Sequence, residues 1–146
     1  MTEAENKATI LQFITEIYNE HNLGSLPNFL FPDVVDHNKV VIGENGLNDT
    51  SQGVPMLLQA FPDLQATVLQ LLADADYVSC RMRLSGTNDG IFRDQTEPTG
   101  RSADWVQMII FRLLEDGKII EIWGIGDQLS LLQQLGLLQQ AARPCP

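Results

Sequence analysis

Apolar residues change their spacing halfway along this chain, from a helical period to an alternating one. Near the start, Ile10, Phe13, Ile14, Ile17 and Tyr18 form one stripe at helical spacing. Thr2-x-x-Glu5 just ahead of it has the pattern of a capping box, in which hydroxyl and carboxylate each take up a free amide donor. This first helix is predicted to end near Asn22-Leu23-Gly24. Ser25 is expected to cap a short second helix with an apolar edge of Leu26, Phe29 and Leu30, which Pro32 stops. From Val34 to Asn48 no period is sustained, and the segment reads as a strand fragment within a loop. A third helix is predicted from about Thr50 to Ala60, bounded by Phe61-Pro62-Asp63.

The second half reads as a meander. Leu64 to Leu72 and Tyr77 to Ser85 form a hairpin about Ala73-Asp74-Ala75-Asp76, and Ala103 to Leu113 and Lys118 to Ile125 form another about Leu114-Glu115-Asp116-Gly117. Gly86 to Ser102, with three glycines and Pro98, is the longest irregular stretch. Helices followed by a curved antiparallel sheet predict an α+β domain whose sheet wraps an apolar interior. Strand parity puts Trp105, Gln107, Ile109 and Phe111 on one face and Asp104, Val106, Met108 and Ile110 on the other. The first set is assigned to a pocket, with Gln107 the single amide among apolar neighbours. The final helix, with Leu129, Leu131, Leu132, Leu135, Leu137 and Leu138, carries more leucine than one buried stripe needs, which points to a partner or a closing lid.

Composition narrows the function classes. At 146 residues, 44% hydrophobic and 19% charged, the chain suits one domain, taken as residues 1–142 with a short tail at 143–146. No apolar run approaches the ~20 residues of a membrane span, and the acidic start Met1-Thr2-Glu3-Ala4-Glu5 has no signal or transit pattern, so a cytoplasmic location is expected. A net charge of −10 repels phosphate backbones and argues against nucleic acid as a partner. Arg81, Arg83, Arg93, Arg101 and Arg112 cluster in the strand half, which leaves room for a local anion site, with solvated strand faces and loops the preferred reading. Cys80 reads as a small core residue, and its spacing from Cys145 fits neither a metal site nor a redox motif. No metal or cofactor motif is present.

Candidate chemistry is sparse. His37 follows Asp36, and a nearby carboxylate could fix its tautomer and leave one nitrogen free for proton transfer. Asp127 precedes the last helix and has two readings: a carboxylate at the pocket mouth made more basic by Trp105 or Trp123, or the N-cap of that helix. Tyr18 could offer a phenolic hydrogen bond or simply pack. His21 fits a cation at a helix C-terminus.

Phe61-Pro62-Asp63, Pro98-Thr99-Gly100-Arg101, Phe111-Arg112, Asp116-Gly117-Lys118-Ile119 and Leu131-Leu132-Gln133-Gln134-Leu135-Gly136 stand in an order that resembles the SnoaL-like polyketide cyclases. The resemblance implies the cone-shaped fold of the nuclear transport factor 2 superfamily, with N-terminal helices on the concave face of the sheet and a C-terminal helix. It also implies a homodimer or higher even oligomer through the outer face. The implied activity is a cofactor-independent cyclase or isomerase working on a small apolar or aromatic, ketone-bearing molecule. Placed residue by residue, the family's catalytic aspartate falls at Gly124 and its histidine at or near Ile109. His37 and Asp127 are therefore the candidate substitute pair, with Tyr18, Asn38, Trp105, Gln107, Ile109, Phe111 and Trp123 as candidate substrate contacts. The alternative is a non-catalytic pocket protein or a dimeric scaffold.

Overall fold

The computed structural model describes residues 1–37, 53–92 and 95–138. Helix α1 runs from Glu3 to Phe13, and its capping box is formed: Thr2 Oγ1 accepts from the Glu5 amide at 3.1 Å while the Glu5 carboxylate accepts from the Thr2 amide at 2.9 Å. The helix then widens into a π-helical turn, Ile14–Asn19, which the apolar stripe does not reveal. All five stripe residues are buried.

The end of this helix is stitched to the sheet. The Asn19 side chain accepts from the Ala66 amide at 2.6 Å and donates to the Ala66 carbonyl at 3.1 Å, as a neighbouring strand would. His21, at φ 59°, donates from its ring to the Leu64 carbonyl at 2.7 Å, so it serves as a hydrogen-bond anchor beside the sheet.

The next segment departs from expectation. Ser25 closes a 3-10 turn, Leu23–Ser25, and makes no side-chain cap; α2 is a single turn, Leu26–Phe29. Leu30 already belongs to strand β1, Leu30–Asp36. Pro32 sits inside it, which is tolerated because β1 is an edge strand. Helix α3 spans Val54–Ala60, and the part of the expected helix before Gly53 lies outside the described residues.

Strands β2 (Gln65–Asp74), β3 (Tyr77–Thr87), β4 (Ser102–Leu113) and β5 (Ile119–Gly126) form the expected antiparallel meander. The sheet order is β1-β5-β4-β3-β2, with β1 joining parallel to β5, a long-range pairing absent from the meander reading. Helix α4, Gln128–Leu135, follows β5 and ends at Gly136 in the left-handed region. It buries Leu131 and Leu135 while Leu129 stays 58% exposed.

The core lies between α1 and the concave side of the sheet. Phe13 meets Tyr18, Phe29 and Phe111 edge to face, with centroids 6.1, 5.5 and 5.8 Å away. Phe61 packs on Trp105 and Phe92 at the far end. Asn88, wholly buried, organises the long irregular segment: its amide nitrogen donates to the carbonyls of Ala60 and Gly90, and its oxygen accepts from Gln95, the Thr99 amide and the Thr99 hydroxyl. No helix among the described residues is long and apolar enough to cross a membrane.

Candidate functional site

Cross-strand partners share a face, so the register assigns each side chain to the inside or the outside of the cone. On β4, Trp105, Ile109 and Phe111 are buried on the concave side, with Gln107 half-buried among them. Gln107 pairs with Met82 and Gly126, Ile109 with Cys80 and Gly124, and Phe111 with Val78 and Ile122. Along β4 and its cross-strand partners the concave wall is therefore apolar apart from one amide, and Ile122 and two glycines form its β5 side.

Gly124 leaves a bare patch in that wall. A Cβ there would lie 3.6 Å from Ile109 Cγ1, 3.8 Å from the Met108 carbonyl and 4.0 Å from Gln107 Nε2, all ordinary contacts. Glycine is thus not required by crowding at this point, and the Gln107 amide lies beside it.

Trp123 belongs to the other side. It pairs with Ile110, and Ile110 is 42% exposed on the convex face. The expectation that Trp123 lines the pocket with Trp105 is corrected by this register. His37 follows it outward: its ring stacks on Trp123 at 4.8 Å and 6° between planes, and its Nε2 is 2.9 Å from Glu121. The carboxylate that holds His37 is therefore Glu121 rather than Asp36. Glu121 also accepts from Arg112 at 2.7 Å, and Arg112 donates to Asp76 at 3.1 Å, a chain of charges across the outer face. The Arg112 hydrogen bond, then that of His37, holds the Glu121 carboxyl below its ordinary range. Arg83 pairs with Asp104 on the same face, so these arginines serve local pairing.

Asp127 caps α4, accepting from the Ser130 amide at 3.0 Å. The structure does not bring it to His37. The His37 amide bonds the Ile122 carbonyl, and five residues of chain from there to Asp127 span roughly 15 Å at strand rise.

Tyr18 does reach the interior. It is 3% exposed, and burial foremost, then the charge of Asp36, then Cys80, pushes its phenol well above the ordinary range. The hydroxyl therefore stays protonated and can only donate or accept as a neutral group. Asp36 is the residue the sequence reading left aside as a possible pocket group. It pairs with Ile122, shares parity with buried Val34, and so faces inward from β1. The alternation Val34 in, Val35 out, Asp36 in would have marked it had the strand been placed correctly. Cys80, fully buried, has its thiol pushed up to about 11 by desolvation and is a packing group. Asn38 lies outside the described residues.

A curved, unclosed five-stranded sheet with helices on its concave side and a helix at its C-terminus is the cone-shaped architecture of the nuclear transport factor 2-like fold. The sequence profile of the SnoaL-like polyketide cyclases matches residues 8–135, and the chain belongs to that family. Among solved structures it is similar to AclR of Streptomyces galilaeus, a proposed hydroxylase, with 27% identity, a TM-score of 0.80, and coverage of 97% of this chain and 87% of that one. TsrD of Streptomyces laurentii gives 27% identity and a TM-score of 0.80 over 94% and 99% of the two chains. IdmH of Streptomyces antibioticus, a proposed polyketide cyclase, gives 27% identity and a TM-score of 0.70 over 90% and 98%. No functionally curated protein matches the sequence.

Proposed function

We propose that this protein binds a small, largely apolar, ketone-bearing molecule of polyketide type in its cone and carries out cofactor-independent proton-transfer chemistry on it, as a cyclase or isomerase in the cytoplasm. The observation that carries the reading is the concave wall, in which a buried aromatic and aliphatic surface contains one half-buried amide, Gln107. Such a wall suits a flat apolar ligand with a single polar group to be oriented. The relatives named above make this chemical class the natural first choice. A binding protein without turnover is the second reading, favoured by Gly124 and Ile109, which cannot move protons where the family resemblance puts an aspartate and a histidine.

The convex face is proposed to pair with a second copy of the chain. Leu72, Met108, Ile110 and Ile125 are 58, 50, 42 and 73% exposed there, a row of large apolar side chains interrupted by the His37–Glu121–Arg112 pairs. Sedimentation of the purified protein reads this directly: a dimer supports the pairing, a monomer removes it.

Because Trp123 sits outside the cone, binding is best read in Trp123→Phe, which leaves Trp105 as the reporter. An anthraquinone-type polyketide ester is titrated while Trp105 emission and ligand absorbance are followed together. Saturable quenching with a changing ligand spectrum is the expected result for a cyclase. Saturable quenching with a constant spectrum favours the binding protein, and no quenching refutes this ligand class.

A further inference from the structure

The cone holds one inward-facing carboxylate among the described strand residues of β1 and β5, and it is neither of the groups the sequence pattern suggests. Asp36 faces the interior opposite Ile122, and Gly124 is the next concave position on β5. Adjacent strands and a two-residue offset put the Asp36 and Gly124 Cα atoms about 8 Å apart. From the other side, Gln107 Nε2 comes within 4.0 Å of where a Cβ on Gly124 would stand. A bare glycine patch is thus flanked by a carboxylate on β1 and an amide on β4, with apolar Ile109 and Ile122 between them. Tyr18 lies near enough to Asp36 that the carboxylate's charge adds to burial, the larger cause, in keeping its phenol protonated.

We propose that Asp36 is the general base of this pocket, acting across the Gly124 patch on a carbon acid whose carbonyl oxygen is oriented by Gln107. The inference deepens the proton-transfer reading above and rests on it. Asp36 takes a proton from the carbon next to a ketone, and the C–H electron pair forms the enolate double bond. The charge passes to the carbonyl oxygen, which accepts a hydrogen bond from the Gln107 amide. The proton on Asp36 then returns to another carbon, giving an isomer, or to the alkoxide formed when the enolate carbon attacks a second carbonyl in the same molecule. Each path balances without a co-reactant. The substrate class is a compact ketone with an acidic α-carbon, small enough for that carbon to sit over a residue without a side chain.

The base can be tested without the native substrate. In 5-nitrobenzisoxazole, removal of the ring C–H proton breaks the N–O bond and leaves a coloured cyanophenolate, so any carboxylate base in an apolar pocket reveals itself. The protein should accelerate this elimination over acetate at equal carboxylate concentration. Asp36→Asn should lower the rate on the order of tenfold or more, and Asp36→Glu should keep a measurable part of it. The double variant Asp36→Asn with Gly124→Asp should regain elimination, since the Gly124 position has room for a Cβ. His37→Gln and Asp127→Asn should match the parent. Retained elimination in folded Asp36→Asn, or loss in His37→Gln or Asp127→Asn instead, overturns the assignment while leaving proton-transfer chemistry standing. No acceleration by the parent protein overturns the assignment as well, and the ester titration then shows separately whether the pocket binds ketones at all. If Asp36→Asn fails to fold, the Asp36→Glu rate decides: a folded Asp36→Glu no faster than the solvent background refutes the base.

Discussion

Replacing Asp127 separates its two readings, because alanine removes the cap while asparagine keeps it. Asp127 accepts one hydrogen bond from the Ser130 amide at 3.0 Å and starts an eight-residue helix whose Leu131 and Leu135 are buried. Loss of such a cap costs about 1 kcal/mol, within a range of roughly 0.5–2. For 146 residues the unfolding entropy near the midpoint is about 0.3 kcal/mol per kelvin, so Asp127→Ala should lower Tm by ~3 °C. Asparagine caps about as well as aspartate and forfeits only the charge at the helix N-terminus, a few tenths of a kcal/mol, or ~1 °C. Calorimetric melts at neutral pH, paired with urea titrations to check that the m-value is unchanged, measure both. Asp127→Ala melting with the parent, or Asp127→Asn falling as far as Asp127→Ala, would refute the capping account. Turnover lost in a fully stable Asp127→Asn would return the residue to the chemistry.

Three other outcomes are expected. Phe111→Ala removes a ring that is 1% exposed and set edge to face with Phe13, and should cost about 3–5 kcal/mol by chemical denaturation, most of it from the cavity. Asp63, held below its ordinary range chiefly by the Thr87 amide, and Glu121, held down chiefly by Arg112, both have depressed folded values. Their contribution is complete above the unfolded carboxylate values near pH ~4 and is lost as pH falls below that; Asp63→Asn and Glu121→Gln should therefore flatten the acid limb of the stability profile, and parallel slopes would refute the sign. Cys80, buried and with its thiol pushed up to about 11, should resist iodoacetamide at pH 8 until the protein is unfolded, as read by peptide mass spectrometry; rapid native labelling would contradict its burial.

What could be read from the chain depended on whether the deciding contact was local. The capping box and the parity of β4 were legible because each rests on residues within a few positions and on a clean difference between faces. Strand β1 was hidden: Pro32 reads as a breaker, and its acceptability follows from an edge position set by a parallel pairing with β5, far along the chain. Missing that strand also hid Asp36. Trp123 was misplaced because both faces of β5 are largely apolar, with Ile119, Trp123 and Ile125 on one parity and Ile120 and Ile122 on the other, so alternation carries no sign. The register past the irregularity between Arg112 and Leu113 supplied it. The π-helical turn that holds Tyr18 is a property of backbone hydrogen bonding and leaves no mark on the apolar stripe.

The Asn88 amide ties residues 60, 90, 95 and 99 to a single point. Closing that much irregular chain costs conformational entropy that would otherwise be met by many weak contacts spread along it. Here much of it is met by one wholly buried side chain, which links the described parts of the connection between the two hairpins to a single point. The cone wall thereby gains a tied rim from a stretch whose described residues contribute no strand or helix. Sequence change along the rim is limited by more than those five bonds, since Phe92 is buried in the core and a Cβ on Gly90 would meet the Gln59 carbonyl.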